Sequence, residues 1–87
     1  MLERNNDMEM KNLIKDIIKE LVDSPEEVDV EEIKSNSTAV INIKVAKGDL
    51  GKVIGRKGRI ITSLRTVFGS IYSKNNMKLI IESSSAE

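Results

Sequence analysis

The chain has 87 residues, which is enough for one small domain with a modest hydrophobic core. It contains no cysteine and no histidine, so disulfides, thiolate metal sites and the usual proton shuttle near neutral pH are excluded, and we expect no metal, no cofactor and no enzyme. The formal net charge is zero, and we see neither a signal peptide nor a run near the roughly 20 apolar residues of a membrane span, so we expect a cytoplasmic protein.

The first part of the chain predicts a helix. Residues 1–7 are mostly polar and read as a frayed lead-in to a domain that spans residues 8–82. From residue 8 the apolar residues recur at steps of three and four, which places one apolar stripe along a helix. Its members are Met10, Leu13, Ile14, Ile17, Ile18 and Leu21. Pro25 ends this helix, because the residue before a proline is pushed out of the helical region.

Two strands follow and predict a hairpin. Residues 27–34 alternate weakly between aliphatic and acidic side chains, which indicates an edge strand. Residues 35–38 are a cluster of turn-forming residues. Residues 39–46 alternate more clearly, with Ile41, Ile43 and Val45 on one face. This second strand is the strongest strand pattern in the chain.

The middle of the chain predicts two helices joined by a tight turn. Asp49 is an expected N-cap for a helix of little more than one turn, and Gly51 within it costs about 1 kcal/mol relative to alanine. Such a glycine is easier to explain if something packs or binds closely against it. Gly55 ends this helix, and residues 59–73 form a second helix that contains Gly69.

The turn between these helices has the composition of a phosphate-binding loop. Gly55 and Gly58 bracket Arg56 and Lys57, and Arg59 follows. Glycine allows unusual backbone angles and a close approach of another backbone, while the start of a helix offers unpaired N–H groups. We therefore predict that these five residues form a phosphate-binding site. The preceding residues Lys52, Val53 and Ile54 are predicted to line the same site.

The charge distribution supports a local polyanion site. Residues 1–49 hold twelve acids and seven bases, whereas residues 50–81 hold seven bases and no acid. A chance run of solvated cations is the alternative explanation, and the bracketing glycines make it weaker.

The second helix carries more apolar surface than one core needs. Ile60, Leu64, Val67 and Ile71 form one stripe, and Ile61, Phe68 and Tyr72 form another, about 80–100° away. The two stripes make either one wide core face or a core face and a subunit contact. We predict that Ile61, Phe68 and Tyr72 form the interface of a homodimer.

The last elements complete the fold prediction. Residues 77–81 alternate as a final strand, and residues 83–87 read as a polar tail. The element order is then α-β-β-α-α-β. The strands on either side of the helix pair lie parallel through a right-handed crossover. The predicted fold class is α+β, with a three-stranded mixed sheet and all helices on one face.

With this order, the segment Val53-Ile54-Gly55-Arg56-Lys57-Gly58-Arg59-Ile60 resembles the V-I-G-x-x-G-x-x-I signature of KH domains, with the final aliphatic at Ile61. The order is similar to that of the type II form, and the resemblance covers about residues 8–82. More narrowly, the chain resembles the small single-domain proteins of the KhpA (YlqC) family, also in residues 21–28 and 58–67.

That resemblance implies a cytoplasmic bacterial protein that binds single-stranded RNA through its GxxG loop. It further implies an RNA chaperone or RNA-binding cofactor, acting as a homodimer or with a KhpB (Jag)-type partner, in cell elongation and cell-shape control.

Two other classes compete with this interpretation. An enzyme is disfavoured, because neither a Walker loop nor a dinucleotide-binding glycine motif is present. A protein–protein dimerisation module with the KH fold, in which RNA binding is secondary, remains the alternative.

Overall fold

The computed structural model describes residues 6–86 and confirms the predicted element order. Helix α1 spans Asn6–Leu21, helix α2 spans Leu50–Ile54 and helix α3 spans Arg59–Lys74. Strands β1, β2 and β3 span Asp29–Ser35, Thr38–Val45 and Lys78–Ser85. Two short 3₁₀ turns, Pro25–Glu27 and Arg56–Gly58, precede β1 and α3.

The sheet has the order β1-β2-β3, with β1 antiparallel to β2 and β2 parallel to β3. The hairpin turn consists of Asn36 and Ser37 alone, and Asn36 has a positive φ of 50°. Asparagine tolerates this left-handed conformation better than most residues. The α2–turn–α3 segment forms the crossover that the parallel pairing requires.

The core lies between the inner face of the sheet and the helices. Alternate residues of β2, from Ala39 to Val45, are buried against Ile14 and Ile18 of α1 and against α3. Strand β3 supplies Ile81, and α2 supplies Val53, both almost fully enclosed. The Tyr72 hydroxyl donates to Glu32 Oε2 at 2.6 Å and ties α3 to β1.

Several predicted boundaries are corrected by the structure. The lead-in was expected over residues 1–7; residues 1–5 lie outside the described part, whereas Asn6 already belongs to α1. The edge strand begins at Asp29, because Pro25–Glu27 form a 3₁₀ turn first. The polar tail was expected from residue 83, but Ser83–Ser85 pair in register with Ile43–Val45, so β3 continues through these serines. Glu87 lies outside the described residues.

The predicted subunit contact is also corrected. Ile61, Phe68 and Tyr72 are only 3–5% exposed, so their stripe faces the core of the domain and cannot meet a second subunit. On the other stripe, Val67 and Ile71 are exposed by 56% and 36%. The stripe that contains Phe68 and Tyr72 packs in the core, because aromatic side chains bury the most apolar area.

Candidate nucleic-acid interface

The glycine-bracketed turn has a backbone that its sequence explains. Gly55 adopts φ 80° and ψ 170°, a combination that residues with a Cβ atom avoid. Lys57 and Gly58 also have positive φ angles, 58° and 72°. The Gly55 N–H donates to Gly51 O at 2.9 Å, and the Gly58 N–H donates to Gly55 O at 3.0 Å. The connection between α2 and α3 therefore takes only four residues.

The two glycines serve different purposes. A Cβ on Gly55 would lie 2.6 Å from Cγ1 of Ile60, whereas a Cβ on Gly58 would meet nothing within 4 Å. Ile60 thus packs directly over Gly55, which lets α3 start close to the end of α2. Gly58 is required for its left-handed conformation alone.

Polar groups of the turn are left for a ligand. Because the first bond of the 3₁₀ turn comes from the Gly58 N–H, the N–H groups of Arg56 and Lys57 are not used by the turn. The side chains of Arg56, Lys57 and Arg59 are all exposed. The turn therefore presents two amides and three cations at one end of the helix pair.

The other predicted site residues lie elsewhere. Val53 is 0% exposed, so the prediction that its side chain lines the RNA site is wrong, and it anchors α2 in the core. Ile54 is half-buried beside the turn. The ammonium of Lys52 lies 3.3 Å from Asp23 Oδ2 and 3.8 Å from Asp49 Oδ1, so its charge is shared by two carboxylates.

Asp49 fixes the base of α2 in a way that the sequence did not indicate. The expected N-cap hydrogen bond is absent. Instead, Asp49 Oδ2 accepts the Ser24 backbone N–H at 3.0 Å, and the residue is only 4% exposed. The carboxylate thereby joins the end of α1 to the start of the helix that carries the turn. An aspartate before a helix is ordinarily read as a cap, so only the fold reveals this contact.

A second feature beside the turn was also missed: the free edge of β3. The Lys78 N–H donates to Ser37 O and the Ala86 N–H donates to Val45 O. Backbone groups alternate in direction along a strand, so those of Ile81 and Ser83 face away from β2. Arg65 Nη2 donates to Ile81 O at 3.0 Å and holds α3 against this edge. A polar depression of about 450 Å³ follows, lined by Asn42, Arg65, Glu82, Ser83 and Ser84.

Within residues 6–86, no helix is both long enough and apolar enough to cross a membrane.

Comparison with known proteins agrees with this geometry. The family model "KhpA/KhpB, KH domain" matches residues 11–82. Three curated relatives are each named "RNA-binding protein KhpA". That of Chlamydia trachomatis is 44% identical over 84% of this chain and 94% of its own length. That of Clostridium acetobutylicum is 42% identical over 84% and 97%, and that of Borreliella burgdorferi is 37% identical over 94% and 96%.

Proposed function

Because the chain belongs to the KhpA/KhpB family of KH-domain proteins, we propose that it binds single-stranded RNA through the turn between Gly55 and Gly58. The observation that carries this proposal is the turn itself, which combines free amides and three exposed cations in the acid-free part of the chain. KH modules clamp the backbone of about four nucleotides with a GxxG loop. The relatives' names point to the same ligand.

In this mechanism the turn binds phosphates and not bases. One phosphate accepts hydrogen bonds from the N–H groups of Arg56 and Lys57, while their side chains and Arg59 neutralise its neighbours. Gly58 keeps the approach open, because it has no side chain and nothing lies within 4 Å of its Cβ position. About three phosphate contacts predict a salt slope near −2 for a single strand.

The bases are proposed to lie between the turn and the edge of β3. Ile54 and Ile60 are half-buried and offer an apolar surface there. The outward backbone groups of Ser83 can pair with base edges. The only aromatic residues of the chain, Phe68 and Tyr72, are buried. Recognition therefore works without stacking on aromatic rings, which favours weak binding of many sequences.

Replacing Arg56 and Lys57 together by aspartate tests this proposal. We expect the affinity for a fluorescent mixed-sequence single-stranded RNA to fall at least about 100-fold, because attraction becomes repulsion at the turn. Fluorescence anisotropy at two salt concentrations measures it. Lys11→Asp/Lys15→Asp on α1 is the control, with the same change in net charge and expected wild-type binding. Equal weakening by both pairs would refute a site at the turn, and unchanged binding by Arg56→Asp/Lys57→Asp would favour a protein–protein module.

We further propose that the protein is a homodimer through the exposed face of α3. Val67 and Ile71 stand one turn apart on this face. Two neighbouring hydroxyls are already satisfied within the helix: Thr66 Oγ1 donates to Thr62 O at 3.1 Å, and Ser70 Oγ donates to Thr66 O at 3.0 Å. Two such faces can meet with few unpaired polar groups, since the hydrogen-bond donors are used within the helix.

Val67→Asp is expected to produce a folded monomer, because a carboxylate would be buried unpaired at the centre of the contact. Light scattering coupled to size exclusion gives the mass, and far-UV circular dichroism reports the fold. The matched control is Leu13→Asp on α1, where Leu13 is 45% exposed, and it should remain dimeric. A wild-type protein that is monomeric at about 100 μM, well above the micromolar range of a functional contact, would refute the dimer.

The wider biological role is a proposal that rests on family membership. We propose a cytoplasmic RNA chaperone or RNA-binding cofactor that acts in cell elongation and cell-shape control. The family model groups KhpA with KhpB, which supports a KhpB (Jag)-type protein as the second partner. Weak, sequence-tolerant RNA binding by one small domain suits such a role, since a dimer or heteromer adds avidity.

A further inference from the structure

Arg65 is held in one position although its side chain is exposed. Its Nη2 donates to the carbonyl oxygen of Ile81 at 3.0 Å, which places the guanidinium at the free edge of β3. No carboxylate of the described residues lies within 4.0 Å of this guanidinium, so its charge is not paired. A side chain that is already held loses less conformational entropy when a ligand binds. Arg65 therefore presents a preorganised, flat cation beside the proposed RNA site.

The helix itself leaves space beside Arg65. Gly69 lies one turn later on the same face of α3, and a Cβ built on it would meet nothing within 4 Å. Side chains of a helix lean toward its N-terminus, so a longer side chain at position 69 would lie against Arg65. A glycine inside a helix lowers helix stability relative to alanine. The space beside the guanidinium is therefore kept open at a cost to the helix.

The position of Arg65 suits contact with a base of a strand bound at the turn. Arg65 follows Arg59 by six residues, about 9 Å along α3, which is within the span of the roughly four nucleotides that a GxxG loop clamps. Arg65 and Ser83 line the same polar depression of about 450 Å³. Along β3, Ser83 lies about 6.6 Å beyond Ile81. A base stacked on the guanidinium at about 3.5–4 Å, on the side of Ser83, therefore comes beside the outward backbone groups of Ser83.

We propose that Arg65 is a base-stacking residue, and that its guanidinium plane packs against one base of the bound RNA. This inference rests on the proposed function, because the turn between Gly55 and Gly58 must hold the phosphates before a base can reach Arg65. Both aromatic side chains, Phe68 and Tyr72, are buried, so the planar guanidinium takes the place of an aromatic ring. The attraction between a cation and the face of a ring adds to the contact.

The test compares a fluorescent adenylate hexamer with an abasic ribose-phosphate hexamer, which has the same phosphates and no bases. Arg65→Lys keeps the positive charge and a donor for Ile81 O but loses the flat guanidinium. We expect this variant to bind the adenylate hexamer about fivefold more weakly than the wild type does, and the abasic hexamer within about twofold of it. Fluorescence anisotropy at low salt measures both affinities.

Gly69→Leu tests the same contact without weakening the fold. Leucine is a better helix former than glycine, so urea denaturation should show a stability at least equal to that of the wild type. The leucine should cover the guanidinium and weaken binding of the adenylate hexamer about fivefold, with binding of the abasic hexamer unchanged. In NMR spectra of ¹⁵N-arginine-labelled wild type, the Arg65 Nε–H signal should move upfield with the adenylate hexamer alone, because a base then lies over it.

Arg56→Asp/Lys57→Asp separates this inference from the proposed function. That variant should bind both hexamers more weakly, because it removes phosphate contacts, and wild-type binding of both would refute the site at the turn. With the site at the turn established, two results overturn the role of Arg65. Equal weakening of both hexamers by Arg65→Lys would mean that Arg65 acts only by holding β3. Wild-type binding of the adenylate hexamer by Arg65→Lys or by Gly69→Leu would exclude stacking.

Discussion

Replacing Gly55 by alanine is expected to lower the free energy of unfolding by about 3 kcal/mol. Alanine at φ 80° and ψ 170° is strained, and its Cβ would lie 2.6–2.9 Å from three carbon atoms of Ile60. Either the turn or the start of α3 must shift. Urea denaturation, with the midpoint and slope compared to wild type, measures the loss.

Gly58→Ala is the matched control for this prediction. Gly58 has φ 72° and ψ 18° and an open Cβ position, so alanine costs only the left-handed conformation, about 1 kcal/mol. If both variants lose the same stability, the contact between Gly55 and Ile60 is not what determines the requirement for glycine.

Phe68→Asp is expected to leave the chain unfolded at 25 °C. Phe68 is 3% exposed within the core cluster. Removal of a buried phenylalanine costs about 3–5 kcal/mol, and burial of an unpaired carboxylate adds to that loss. A domain of this size has little stability in reserve. The far-UV circular dichroism spectrum should lack its helical minima.

The Val67→Asp variant is the control for Phe68→Asp, because it places the same charge on the exposed side of α3. Val67 is 56% exposed, so the same new charge, one residue earlier on the helix, should leave the domain folded. A folded Phe68→Asp variant would contradict the assignment of the Phe68 stripe to the core.

Most of the fold could be predicted because local signals agreed with one another. Residues 39–46 alternate with period two, residues 59–73 repeat with the period of a helix, and glycines mark the turn. Boundaries were less predictable. Ser83–Ser85 lack apolar character, and only the neighbouring strand β2 shows that they pair.

The site was predicted less completely than the fold. Arg56, Lys57 and Arg59 are exposed, as charged residues in a turn should be. The exchange of the two stripes on α3 had a readable signal: Ile61, Leu64, Phe68 and Tyr72 follow one another at steps of three, four and four and include both aromatics. The contact of Asp49 with Ser24 spans 25 residues of sequence. No local pattern encodes such a contact.

The parallel pairing of β2 with β3 also has a consequence for synthesis of the protein. The turn between Gly55 and Gly58 lies in the chain segment between β2 and β3, which becomes a closed loop when these strands pair. Closing this loop costs conformational entropy before the strand contacts have formed. During translation, α2 and α3 leave the ribosome before β3. Their apolar faces therefore lack Ile81 and the completed sheet as packing partners until β3 has emerged. The helix pair that carries the turn between Gly55 and Gly58 therefore gains its complete core only after β3 has been synthesised.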